Sequence, residues 1–457
     1  MQSRKITFAE SLAILIILLI ILGVAVINFG LSPEVPVLLV VGLLVFWLRA
    51  RGFLFDEIQA GIQDGVSIAI IPILIFILIG ALIAVWIKAG IIPSIMVLGF
   101  KLISGQFFVP SVFLVCAVVG VAIGSGFTTI STVGIALLGI GASMNQNLPL
   151  VAGAIVSGAV FGDKMSPLSD STNLSSAVAE SELFAHIKNM MWSTIPAFLV
   201  SLLLFWLLGS RGQVDSSKIQ TTVKVLESNF NVSWLALIPI LLMFLCAWKK
   251  IPAVPTLFLN IFVTAGLIWL EHPQESVQSF ANLITNGFVA KTSSTQVNTL
   301  LSRGGIMSMM ATTALIISTL TLGGLLMKFK IVQTAMEPLV KHLNQPGTLI
   351  LATLLSGIGI NLFVGEQYLS VILPGRAFKE PFERISLSPL ALSRTLEDGG
   401  SVINYLIPWG VAGSFAASAL GVPVIDFLPF AFFSLFSPVF SFLSGFTGIG
   451  LKWQKRK

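Results

Sequence analysis

The segment Phe161-Gly162-Asp163-Lys164-Met165-Ser166-Pro167-Leu168-Ser169-Asp170-Ser171-Thr172-Asn173 sets two carboxylates, a lysine and several hydroxyls directly after an apolar run. Gly162 and Pro167 argue against an unbroken helix. A break frees backbone carbonyls, and Asp163, Ser166, Asp170, Thr172 and Asn173 supply further oxygens. Hard cations favour such clusters of carboxylate, carbonyl, amide and hydroxyl oxygens. Asp163, Ser166, Asp170 and Asn173 share one face if helical geometry mostly holds. The bland alternative is a capped helix on a loop, for which Asp170 and Ser171 are well suited. Two carboxylates and a lysine at a membrane boundary are costly, however, and call for a purpose.

Two other stretches carry unusual polarity. Gly124-Ser125-Gly126-Phe127-Thr128-Thr129-Ile130-Ser131-Thr132 packs glycines and hydroxyls into a span that should be apolar. It reads either as small-residue helix packing or as a second broken helix facing the first motif. In the second half, Asn361, Glu366, Gln367 and Tyr368 precede Ser393, Arg394, Glu397, Asp398 and Asn404. Arg394 and Asp398, one helical turn apart, are placed to neutralise each other. Glu366 has no local partner, which makes it the better single candidate for proton exchange. Burial disfavours the charged form of a carboxylate and so helps it trade a cation for a proton. Arg376, Lys379, Glu380, Glu383 and Arg384 read as a solvated loop.

The elements that hold these residues follow from composition. Of 457 residues, 55% are hydrophobic and 10% charged, against about 25% charged in soluble domains. A soluble globule of this length lacks the polar cover for so much apolar side chain. The expected class is an all-α, polytopic membrane protein surrounded by lipid. Apolar stretches lie near 11–29, 35–48, 66–87, 107–124, 190–208, 234–248, 252–270, 304–327, 348–364, 402–420 and 424–449, giving about eleven to thirteen spans. The stretches 125–180 and 365–400 read poorly as simple spans and suggest broken or re-entrant helices. The first run, behind Arg4 and Lys5, is too long for a typical signal peptide and lacks a small-residue cleavage site, so it reads as a retained span.

Basic residues at Arg49, Arg51, Lys249, Lys250 and the tail Lys452, Lys455, Arg456 and Lys457 set both termini on the cytoplasmic side, with Lys88 and Lys101 as dissenters. The net charge of +6 is this bias rather than a sign of nucleic-acid binding. Phe (34) far outnumbers Tyr (2), as expected where a phenol lacks a partner. Cys116 and Cys246 read as small apolar residues, not a bridge. Ile79-Gly80-Ala81-Leu82-Ile83 resembles Leu322-Gly323-Gly324-Leu325-Leu326, and Gly162-Asp163 has its counterpart in Glu397-Asp398-Gly399. The halves are thus expected to form an inverted-topology repeat, as in secondary transporters. The expected organisation is a hairpin (1–55), a first repeat (56–209), a linker with connecting spans (210–300), a second repeat (301–449) and a basic tail (450–457).

The motif Gly162 to Asn173 closely resembles a signature of the NhaC family of sodium/proton antiporters, in the larger ion transporter superfamily. Glu366-Gln367-Tyr368 with Leu373-Pro374-Gly375-Arg376 looks like its second motif. Leu392-Ser393-Arg394-Thr395-Leu396-Glu397-Asp398 with Ile407-Pro408-Trp409 is similar to its third. The resemblance covers the chain from Arg49 to Gly421 and implies inverted repeats, Na+ coupling and a homodimer in the cell membrane. Departures stand at Glu366, where the family commonly has Asp, near Thr128, where it has Trp, and at Gly410 and Val411, where it has Asn and Thr. Those positions bear on the transported species, since some relatives exchange malate for lactate or move amino acids.

The expectation is alternating access, with Na+ and H+ as coupling ions and no other cofactor. Na+ is held at Asp163, Asp170 and Glu366, protons compete there and at Asp398, and Ser166, Thr172 and Asn173 complete the shell. Thr128, Thr129, Ser131, Asn361, Gln367, Glu397 and Asn404 support the site. Lys164 serves either as a tethered counter-charge or as a snorkelling residue. The rival is a carrier of an organic acid or amino acid whose carboxylate Arg394 or Lys164 holds. An enzyme finds little footing: there is no HExxH and no Gly-Lys pair, and His186, His272 and His342 are scattered. A passive channel differs by its inability to drive one ion uphill against another.

Overall fold

Apolar runs and glycine breaks give a helical bundle. The computed structural model describes residues 5–102, 107–209, 216–249, 251–341 and 343–454. Arg4, Lys250, His342, Lys455, Arg456 and Lys457 lie outside the described residues. Within them every regular element is a helix, and the only bridge pairs Leu387 with Trp453.

Among the described residues eight helices are long and apolar enough to cross a bilayer: Phe8–Asn28, Phe55–Lys88, Gly126–Ser143, Leu148–Met165, Leu183–Leu208, Ala253–Glu271, Ile306–Lys328 and Pro346–Val364. Two bent pairs, each a broken span or a re-entrant loop, bring the number to ten where each counts as one span, below the eleven to thirteen expected from the sequence. Gln220–Asn229 meets Trp234–Trp248 at 86°, and Val411–Leu420 meets Val424–Phe430 at 92°. Shorter apolar helices occupy Ile91–Phe100, Phe108–Ile123 and Phe432–Thr447.

The stretch 125–180, read from sequence as irregular, contains two membrane-length helices. Gly126–Ser143 and Leu148–Met165 are 83% and 72% buried, against 28% for Phe8–Asn28. A span surrounded by protein is selected for close packing, so its surface is glycine and serine rather than leucine. Gly162 illustrates this: a Cβ there would run into the Gly120 backbone of helix Phe108–Ile123. Gly162→Ala is therefore expected to destabilise the fold by about 1–3 kcal/mol, read as a lower melting temperature in detergent. Likewise Arg376 to Arg384 close the helix Gln367–Arg384 instead of forming a loop.

The chain punctuates itself twice in the same way. Left-handed residues recur as Gly124 with Gly365, Asn145 with Ser386 and Glu180 with Gly421, each pair 241 residues apart, as are Pro167 and Pro408. This spacing sets Asp163 against Asn404 and Ser125 against Glu366. The expected match of Gly162-Asp163 with Glu397-Asp398-Gly399 is thereby shifted, because Glu397–Ser401 is a π-turn inside the helix before the second break. Lys88, a dissenter from the charge bias, pairs with Glu275 at 3.1 Å.

Candidate functional site

Four helix breaks meet around one cavity. Helix Phe108–Ile123 ends at Gly124 (φ 73°), and Ser125 then caps the next helix by accepting from the Thr128 N–H at 3.3 Å. Helix Pro346–Val364 ends at Gly365 (φ 69°), and Glu366 caps helix Gln367–Arg384 by accepting from the Leu369 N–H at 3.0 Å. Helix Leu148–Met165 stops before Pro167, and Ser169 caps Asp170–Val178. Helix Val411–Leu420 starts after Pro408, where the Ala412 N–H donates to Asn404 Oδ1 at 3.2 Å. Helix starts leave N–H groups, and helix ends carbonyls, without intrahelical partners, and the capping side chains take up one N–H at each start.

The cavity holds about 430 Å³ and carries the acidic residues Asp163, Asp170 and Glu366 on its wall. Ser125, Thr128, Ser171, Asn173, Gln367, Tyr368 and Asn404 add polar atoms, and Phe76 and Phe127 an apolar side. Among the described residues no lysine, arginine or histidine lines it. Asp163 is half-buried beside the Gly126 N–H and the Ser169 hydroxyl. Glu366 is 4% exposed, whereas Asp170 stands open near the mouth with Leu183 and Pro252.

The remaining sequence candidates stand elsewhere. Ser166 and Thr172 are buried in the break: Ser166 accepts from the Leu168 N–H at 3.3 Å, and Thr172 Oγ1 donates to the Lys164 carbonyl at 3.0 Å. The helix stops before its face can carry Ser166 into the cavity. Thr129 and Ser131 return their hydroxyls to the carbonyls of Ser125 and Thr128. Asn361 supports from behind, accepting from Asn404 Nδ2 at 2.7 Å and donating to the Gly400 carbonyl at 2.6 Å.

Asp398, Lys164, Glu397 and Arg394 form a separate buried group that does not line the cavity. Lys164 Nζ lies 2.6 Å from Asp398 Oδ1, with the two residues 1% and 0% exposed. Glu397 accepts from Ser171 at 2.9 Å and Ser175 at 2.5 Å. Arg394 does not pair with Asp398; it donates to Ser444 Oγ at 2.7 Å and the Gly450 carbonyl at 3.3 Å. Lys164 does not snorkel.

Sequence reasoning left one lining residue, and a second just behind the lining, off the site. Tyr368 lines the cavity within the field of Asp170, Glu366 and Asp163. Tyr405 does not line the cavity; it is 2% exposed, its ring is tilted against that of the lining residue Phe127, and its hydroxyl stands 2.6 Å from where a Cβ on Gly126 would be. They are the chain's only two tyrosines. A rare phenol in so apolar a chain was the available signal.

The model of the Na+/H+ antiporter family matches residues 158–449. The chain is 37% identical over 453 residues to the Na(+)/H(+) antiporter NhaC of Alkalihalophilus pseudofirmus, covering 98% of each. It is 38% identical over 448 residues to NhaC of Bacillus subtilis, covering 97% of this chain and 99% of that one. The arginine/ornithine antiporter ArcD of Halobacterium salinarum is 34% identical over 453 residues, with 97% and 93% covered.

Proposed function

Because this chain belongs to the Na+/H+ antiporter family, we propose that it exchanges Na+ for H+ by alternating access, with the cation held in the cavity of Asp163, Asp170 and Glu366. One observation carries the reading: three carboxylates from three separate helix ends face one cavity whose described lining has no basic side chain. Charges so placed repel one another unless a cation or protons neutralise them. Na+ takes oxygens from the carboxylates and from Thr128, Gln367 and Asn404, and protons displace it by neutralising the same groups. Either load leaves a site that can change sides. A proton gradient supplies about 1.4 kcal/mol per pH unit and a membrane potential about 2.3 kcal/mol per charge per 100 mV.

The protein is a multi-pass membrane protein. The proposal has it in the cell membrane, with cytoplasmic termini following the basic residues, and as a homodimer following the family resemblance. The test is reconstitution into vesicles holding a pH-sensitive dye, with Na+, Li+, K+ and organic acids added in turn. Na+ alone should move protons, and proton flux that needs an organic acid would refute simple exchange. Tyr368→Phe should raise the half-saturating Na+ concentration about two- to tenfold, the worth of one hydroxyl interaction.

A second reading draws on the size of the cavity, about 430 Å³, which exceeds what a bare cation needs. It makes the chain a Na+- or H+-coupled carrier of an organic acid or amino acid, and the similarity to ArcD supports it. The substrate carboxylate would rest on helix N–H groups, since Arg394 and Lys164 are engaged elsewhere. Sodium-dependent uptake of a labelled acid, without proton flux on adding Na+ alone, would favour it.

A further inference from the structure

Behind the wall made by Leu148–Met165 and Asp170–Val178, a second polar group runs through the bundle. Its centre is Lys164, which donates to Asp398 Oδ1 at 2.6 Å, Ser437 Oγ at 2.8 Å and Ser193 Oγ at 3.3 Å. Three polar stripes converge on that ammonium. Helix Leu183–Leu208 brings His186 and Ser193, helix Phe432–Thr447 brings Ser434, Ser437, Ser441 and Ser444, and helix Pro389–Leu396 with the π-turn Glu397–Ser401 that continues it brings Arg394 and Asp398. Spacings of three and four residues set the four serines on one helix face, and His186 and Ser193, two turns apart, share another. Every one of these residues is buried.

Much of the stripe has no protein partner among the described residues. Asp398 Oδ2, both ring nitrogens of His186, the hydroxyls of Thr194, Ser434 and Ser441, and Arg394 Nε are all unpartnered. Elsewhere Ser11, Ser94, Thr264, Thr313 and Ser356 also lack a partner, but each is on a different helix, whereas the seam gathers seven such atoms on six residues around one ion pair. Ser201, Thr319, Thr353 and Thr395 each return their hydroxyl to a carbonyl one turn back, the usual way to satisfy such a group inside a helix. Inside a membrane protein an orphaned polar atom is expensive. A polar gap bordered by several such atoms is where bound water resides, each molecule taking two to four hydrogen bonds.

We infer that this seam is a second aqueous site, a file of bound water that reaches the Lys164–Asp398 pair and is separate from the cation cavity. It enters at the end of the bundle where helix Phe432–Thr447 stops, beside the partly exposed contact of Arg394 with the Gly450 carbonyl. Ser441, Ser437 and Ser434 then follow along the helix, each farther from that end. The two wet regions touch at one wall. Asp163 faces the cavity while its neighbour Lys164 faces the seam, and Ser171 lines the cavity while donating to Glu397. The buried ion pair thereby keeps a polarisable medium beside it when the charge on the cavity side changes.

The test uses cysteines in a background where Cys116 and Cys246 are replaced by alanine, with the full chain in vesicles. A small aqueous thiol reagent attacks only the thiolate, which needs water beside it. Ser441→Cys should label at least tenfold faster than Val439→Cys or Leu443→Cys on the same helix, whose native side chains are exposed on the outer surface. Ser434→Cys should label as well, and adding Ser441→Leu should slow that reaction at least tenfold. Seam cysteines that label no faster than the two outer positions would overturn the inference, and indifference to Ser441→Leu would overturn the route. Radiolytic hydroxyl footprinting of the unmutated protein is an independent measurement, because bound water generates the radical in place. Met190, fully buried at seam spacing from His186 and Ser193, should oxidise several times faster than Met309, which is 2% exposed in another part of the bundle. Equal rates would contradict bound water in the seam.

Discussion

Asp163→Asn is expected to lower Na+-driven proton flux at least about a hundredfold in reconstituted vesicles, with yield and melting temperature close to the parent's. Asparagine keeps the shape of the side chain and removes its charge. At about 4 Å and an effective dielectric near 20, one carboxylate contributes on the order of 4 kcal/mol to holding a cation. That is close to a thousandfold in affinity. Asp163 is half-buried on the cavity wall, so little water compensates for its loss. Asp170 is exposed at the mouth, and Asp170→Asn should cost roughly tenfold or less because solvent screens it. Flux that survives Asp163→Asn would put the site somewhere else.

Asp398→Asn is expected to fail differently, by unfolding the protein rather than by silencing the cavity. Lys164 and Asp398 lie 2.6 Å apart at 1% and 0% exposure. Removing one partner of such a pair leaves an uncompensated buried charge and costs about 3–5 kcal/mol, whereas replacing both with apolar residues is often neutral. The single variant should therefore melt well below the parent, and Lys164→Met combined with Asp398→Leu should recover most of the loss. An unchanged melting temperature in Asp398→Asn would contradict a buried pair. Exchange by the double variant measures what the pair adds to transport beyond stability.

Sequence alone located the first motif because carboxylates in an apolar setting stand out, and Asp163, Asp170 and Glu366 do share one cavity. It mispaired Asp398 with Arg394 for a geometric reason. In a regular helix Arg394 and Asp398 stack one turn apart, but the backbone over Glu397–Ser401 opens into a π-turn. That wider turn changes the direction in which the residues point, and Asp398 meets Lys164 from the other half of the chain. No local spacing rule anticipates a partner 234 residues away. The lipid-facing spans were legible from hydropathy, while Gly126–Ser143 and Leu148–Met165 were not, because burial among other helices replaces large apolar side chains with small ones. Glu366 was legible as an isolated charge, but its position as a helix cap over the cavity depends on the turn that Gly365 makes.

The central claim is that Na+ and protons compete for one set of carboxylates. It is tested most directly by the half-saturating Na+ concentration of the reconstituted protein, measured from alkaline to mildly acidic pH with no membrane potential. If both ions use the same groups, that concentration should climb as pH falls, approaching about tenfold per pH unit for each competing proton, while the maximal rate at saturating Na+ stays level. A half-saturating concentration indifferent to pH, with the maximal rate alone changing, would mean that protons act at a site other than the cavity.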